Sequence, residues 1–169
     1  PVTLEQQNIL PPELGRLSVL KDYTVTEKAD GERMLLYVDG NYDLFTIDPT
    51  LMVRSTGVKH QAHKNTLLDG EFVRKSKFNT VLNTYMAFDV YFLDGKDVRS
   101  SPLIPDRFDA IKGFVQDMPK RSPFVVKAKQ YLHDGDIFEL AKKVYDRGYD
   151  YHIDGLIFTP AKLGVGTYY

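Results

Sequence analysis

Four short stretches place charged or aromatic side chains at spacings that could carry phosphoryl chemistry. In "EKADGER", Lys28 precedes Asp30-Gly31 and Arg33; in "LLDGEFV", Glu71 follows Asp69-Gly70. "MAFDVYFLDG" sets Phe88 beside Asp89, and "HIDGLIFTP" sets Asp154 ahead of an apolar run. A lysine that sheds its proton, through desolvation or neighbouring cations, is a nucleophile, and its attack on phosphorus gives a phosphoramidate. Such transfer depends on positioning and charge neutralisation. Carboxylates able to hold a divalent cation, with an arginine for sugar or phosphate, would therefore complete a site. Taken singly, each stretch has a plainer reading. "KADG" is a surface turn, Glu71 the solvent-facing member of an alternating strand, and Phe88 a core aromatic. Their ordered combination is what favours chemistry.

The elements that must hold these groups are mostly strands. From Tyr23 onward, β-branched and aromatic residues gather in "YTVTEK", "RMLLYV", "YDLFTI", "LLDGEFV" and "YMAFDVYFL", with turn signals between them. Phe108, Ile111, Val115 and Met118 fall on one helix face, opened by Pro105 and closed by Pro119. A second helix fits Ile137, Leu140, Ala141 and Val144, with Asp134 or Asp136 as N-cap and Gly148 past its end. A last strand covers 153–158. Strands dominating one stretch, two late helices and no βαβ alternation predict an α+β fold with mainly antiparallel sheets. Residues 1–22 read as a lead-in with one short helix around Leu14 to Leu20, and 23–169 as the domain proper.

Six of the twelve glycines follow an aspartate. Asp39-Gly40 and Asp94-Gly95 read as hairpin turns, Asp-Gly supplying the positive φ of a type I′ turn, and Asp134-Gly135 as a helix start. The pairs at 30, 69 and 154 put charged groups at strand edges, where a rigid sheet can aim them.

Composition sets the bounds. The chain has 169 residues, is 43% hydrophobic, carries a formal net charge of −1 and has no cysteine. One ordinary core is expected, any basic surface must be local, and disulfides and thiolate metal sites are excluded. Apolar runs are short and broken by charges, so no membrane span is expected. "GVKHQAHKN", with Lys59, His60, His63 and Lys64, and "RKSK" at 74–77 read as solvated loops that would touch phosphates if they act at all. Zinc is not expected at His60 and His63. His133 and His152 read as local hydrogen-bonding groups.

In this order the four stretches resemble the motifs of the covalent nucleotidyltransferase superfamily, which contains mRNA capping guanylyltransferases and ATP-dependent polynucleotide ligases. "KADGER" resembles its first motif, "LLDGEFV" the third, "MAFDVYFLDG" the next and "IDGLIFTP" the fourth. Capping enzymes are the closer match: "PVTLEQQNI" is similar to the segment before their lysine, and "DGLIFTP" to their fourth motif. The sequence is further similar to capping enzymes of large cytoplasmic DNA viruses, which implies a cytoplasmic setting. The resemblance implies a nucleotidyltransferase fold, two twisted, mainly antiparallel sheets with flanking helices around a nucleotide cleft. It implies GMP transfer from GTP through Lys28 to the 5′-diphosphate end of RNA, with Mg2+ or Mn2+. Arg33 would bind ribose, Glu71 ribose or metal, Phe88 would stack on the base, and Asp154 would lie near the metal. RNA triphosphatase and cap methyltransferase domains are implied partners. The family's fifth motif, a lysine pair, and its C-terminal OB-fold domain are not found before Tyr169, and Lys162 is not assigned the role of that pair. A ligase-type adenylyltransferase, or a non-catalytic binding module of the same fold, stays open on sequence alone.

Overall fold

A computed structural model describes residues 2–12 and 17–167. Among them the chain builds nine strands and two α-helices in two sheets. The larger sheet runs in the order β4 (Val53–Lys59), β3 (Asp43–Ile47), β2 (Glu32–Val38), β5 (Thr66–Lys75), β6 (Val81–Leu93), β7 (Lys96–Asp97). All of these pair antiparallel, while β8 (Val125–Ala128) joins β6 in parallel. The smaller sheet is the antiparallel pair β1 (Tyr23–Ala29) and β9 (Ile153–Pro160). The expected α+β fold with two mainly antiparallel sheets is borne out.

Each sheet carries one helix. α1 (Phe108–Gln116) covers the large sheet, where Leu36, Leu68, Tyr85, Ala87, Ile111 and Phe114 make the main core. Met118, expected inside the helix, lies just past its end and is buried there. α2 (Ile137–Asp146) packs Ile137, Leu140 and Val144 on Val25 of β1. Its N-cap is Asp136, whose carboxylate accepts from the Phe138 and Glu139 N–H groups, satisfying two orphan donors of the first turn.

Two local expectations are corrected. The lead-in helix falls partly on residues 13–16, outside the described residues, and residues 17–20 are coil and turn. There Val19 N–H donates to Asn8 O and Ser18 Oγ to Leu10 O, so groups that a helix would use pair with the preceding segment instead. A short 3₁₀ turn stands at Gln6–Ile9. At Asp39-Gly40 the hairpin exists, but the positive φ belongs to Tyr42 (66°). Tyr42 N–H closes a turn onto Asp39 O, and the Asp39 carboxylate accepts from Asn41 and Asp43 N–H, so aspartate rather than glycine shapes this loop. Asp94-Gly95 behaves as expected, with both residues at positive φ.

Candidate active site

Lys28 is exposed near the end of β1, and its side chain makes no hydrogen bond or ion pair with a described residue. Pairing between β1 and β9 is regular up to Glu27 opposite Leu156, then resumes with Ala29 opposite Ile153. Lys28 therefore faces two residues, Asp154 and Gly155, in a β-bulge. Gly155 adopts φ 126°, a conformation that L side chains rarely take. The aspartate-glycine pair thus places Asp154, an exposed residue, across the bulge from the lysine.

Arg33 and Glu71 are cross-strand partners on β2 and β5. The Arg33 guanidinium forks onto the Asp69 carboxylate, Nε to Oδ1 at 3.2 Å and Nη2 to Oδ2 at 2.7 Å. The Tyr91 hydroxyl also donates to Asp69, which is itself buried. This fork fixes Arg33 while its side chain stays 65% exposed, leaving donors free for a ligand. Gly70, between Asp69 and Glu71, has a packing reason as well. A Cβ there would stand 2.4 Å from Met86 O and 2.6 Å from the Tyr85 ring, whose hydroxyl crosses the sheet to Met34 O.

The residue that sequence reasoning missed is Lys129. It follows β8 and is 1% exposed, with its N–H bonded to Ala87 O. Its Nζ donates to Glu27 O on β1 at 2.9 Å and lies 3.3 Å from Glu71 Oε2 on β5, so one ammonium joins the two sheets. The same Nζ is 5.8 Å from the centroid of the Phe88 ring. Lys28, whose neighbour Glu27 supplies that carbonyl, thereby shares one junction with Glu71 and Phe88. Burial pushes the Glu71 carboxyl above its ordinary pKa, opposed by the Lys129 charge, and its Oε2 is buried without a hydrogen bond. Phe88 is half-buried against Leu103, Ile104, Phe108, Tyr131 and Ala161, so its ring is also part of a small core. Next to it, Asp89 pairs with buried Arg107 at 2.8 Å, and Arg107 also donates to Leu163 O, tying the chain beyond β9 to β6.

The histidine loop is not the solvated loop expected. His60 is 3% exposed. Its Nδ1 accepts from the Ala62 and His63 N–H groups, so Nε2 carries the proton and donates to Phe114 O at 2.9 Å. That carbonyl belongs to the last turn of α1, where carbonyls lack helical partners. His133 pairs with Asp134, as a local role would have it, and Lys162 donates to Ile104 O.

Hard oxygen donors fit Mg2+ or Mn2+. Among the described residues, no three His, Asp or Glu side chains form a metal cage. Mg2+ is commonly held by one or two carboxylates plus substrate phosphates. Asp154, exposed opposite Lys28, suits that use better than Glu71, which already faces an ammonium.

Two mainly antiparallel sheets, each with its own helix and joined through Lys129, make a nucleotidyltransferase fold. The fold is similar to that of a mycobacterial DNA ligase D complexed with ATP and MES, with TM-score 0.60, 16% identity, and 84% of this chain and 49% of that one covered. A Lig E DNA ligase structure matches at TM-score 0.52 and 15% identity, over 86% of this chain and 57% of the other. A family model described as "mRNA capping enzyme, catalytic domain" matches residues 1–167, and the chain belongs to that family. A probable mRNA-capping enzyme of Acanthamoeba polyphaga mimivirus is 36% identical over 78 residues, 46% of this chain and 6% of the relative. The mRNA-capping enzyme of Danio rerio is 26% identical over 95% of this chain, which spans 29% of the relative's length. Among the described residues no helix is long and apolar enough to cross a membrane.

Proposed function

We propose that this domain is an mRNA guanylyltransferase with Lys28 as its nucleophile. The observation that carries the reading is the bulge that sets Asp154 across from an exposed, unpaired Lys28, at the junction where Lys129 meets Phe88. The neutral Lys28 amine attacks the α-phosphorus of GTP. A nitrogen–phosphorus bond forms, the bond to the bridging oxygen breaks, and pyrophosphate leaves with that electron pair. A terminal phosphate oxygen of 5′-diphosphate RNA then attacks the same phosphorus, and Lys28 departs and regains its proton. A divalent cation held at Asp154 would supply charge neutralisation on the phosphates.

Arg33, oriented by Asp69, and Glu71 are assigned to the ribose hydroxyls. Phe88 stacks on the base. Lys129 has three protons, gives one to Glu27 O and faces Glu71 as an ion pair, so donor capacity remains beside the ring. An ammonium can only donate; guanine offers O6 and N7 as adjacent acceptors where adenine offers an amino donor. That asymmetry favours GTP over ATP. RNA triphosphatase and cap methyltransferase activities are the partners that would supply the diphosphate end and methylate the product, and the setting is cytoplasmic.

The test is covalent labelling of the full-length protein by α-labelled GTP or ATP with Mg2+ or Mn2+. Acid-stable label from GTP, discharged by diphosphate-ended RNA, supports the reading. Label from ATP alone would replace it with a ligase-type activity, and no label from either would leave a binding module.

A further inference from the structure

The hairpin joining β5 to β6 projects from the end of the large sheet nearest the turn after Lys28. Its tip exposes Phe78 by 73%, and Val81 beside it by 76%. Yet the tip is firmly built. Ser76 N–H donates to Thr80 O, Asn79 N–H to Ser76 O, and the Phe78 and Thr80 N–H groups both donate to Ser76 Oγ at 3.2 Å. A large apolar ring held outward by such a turn gains nothing from burial in the free protein, and its fixed geometry suits a partner.

Charge identifies that partner. Arg74 is matched by Glu32 at 2.9 Å. Lys75 and Lys77, both exposed, have no anionic partner among the described residues, and Lys77 Nζ lies 5.3 Å from the Phe78 ring centroid. Two exposed ammoniums on the segment leading into an exposed aromatic match a single nucleic-acid strand, whose phosphates take the cations and whose bases stack on the ring.

Position agrees. Lys77 N–H donates to Asp150 O, and Asp30 N–H donates to His152 O, so a single residue, Tyr151, lies between the hairpin tip's anchor and that of the "KADG" turn. That is at most about 7 Å. Between them Ala29, Val73 and Met86 pack as one cluster. We propose that the β5–β6 hairpin, through Lys75, Lys77 and Phe78, binds the first nucleotides of the acceptor RNA behind its 5′-diphosphate. This rests on the guanylyltransferase reading and adds to it where the second substrate lies.

The experiment uses the full-length protein, its Phe78→Ala variant and the double variant Lys75→Gln, Lys77→Gln, all checked for an unchanged circular dichroism spectrum and melting temperature. Binding of a 5′-diphosphate oligoribonucleotide is followed by fluorescence anisotropy over a range of salt concentrations. Phe78→Ala is expected to weaken binding roughly five-fold or more. The double variant is expected to flatten the slope of log affinity against log salt by about 1.4. Covalent labelling by GTP should proceed at the parent's rate in both. Unchanged RNA affinity and slope would overturn the proposal and leave the hairpin to a protein partner. GTP labelling reduced as much as RNA binding would also overturn it. A parent that GTP does not label would sink the guanylyltransferase reading, while RNA affinity lost in the variants would still uphold the surface.

Discussion

Lys28 stands exposed beside a bulge with no carboxylate or carbonyl among the described residues holding its side chain, the condition for an amine that must reach an incoming phosphate. Arginine in its place keeps a positive charge at any useful pH and cannot become a nucleophile. Lys28→Arg is therefore expected to retain most GTP binding and to lose covalent labelling altogether; a labelled variant would refute the assignment. The two carboxylates should separate. Asp154→Ala is expected to slow labelling on the order of a hundred-fold with little change in GTP affinity, because a phosphate-bound cation matters most as charge shifts during transfer. Glu71→Ala should instead weaken GTP binding. Single-turnover labelling across GTP concentrations separates the effects, and equal losses of rate and affinity in both variants would contradict the split. The candidate residues Lys28 and Asp154 are legible in the sequence because Lys28 shortly precedes an Asp-Gly pair and Asp154 belongs to one, both inside a strand pattern. Lys129 is not. "VKAKQ" offers two lysines, and only the parallel pairing of β8 with β6, a contact between distant parts of the chain, decides that the second is buried against Phe88.

At the level of elements, strands with strong apolar patterning were readable and those without it were not. β4 is an exposed edge strand, polar along most of its length, and β8 has four residues, so neither shows a half-buried alternation. The burial of the His60 loop is hidden from the sequence for a related reason. His60 acts through a helix end distant in sequence, and nothing local in "GVKHQAHKN" announces a buried imidazole. Its burial, foremost, holds the imidazole pKa below its ordinary value, with His63 adding to the effect; the Phe114 carbonyl, Asp117 and Asp94 oppose it. The folded state thus binds the His60 proton less readily than the unfolded chain does. The resulting stability is fully present above the unfolded value near 6.5 and is lost as pH falls below it. The protein should therefore melt at progressively lower temperature between about pH 6.5 and 5. His60→Gln should be less stable at pH 7.5 yet show a flatter dependence over that window. Melting curves that fall equally steeply for both proteins would place the titration elsewhere.

At the scale of the whole molecule, each sheet has its own helix and core, and the two halves are stitched by Lys129 and by the Arg107 contacts beyond β9. That arrangement predicts that the 169 residues fold by themselves, with a cooperative melt. The relatives extend far beyond the matched stretch, and we propose that a lysine-bearing fifth motif and a closing OB-fold domain, as in the family resembled, act together with it. Cations near the α-phosphate and closure over the nucleotide would neutralise charge and align pyrophosphate for in-line departure, and misplacement of reacting groups by an ångström can slow a reaction about a hundred-fold. The 169-residue chain is accordingly expected to bind GTP weakly through Phe88, Lys129 and Arg33, and to label Lys28 on the order of a hundred-fold more slowly than a protein carrying the later segments. The comparison is one of labelling rates at saturating GTP for the two lengths. Equal rates would show that everything needed to activate Lys28 lies between β1 and β9, and the contribution assigned to the later segments would have to be dropped.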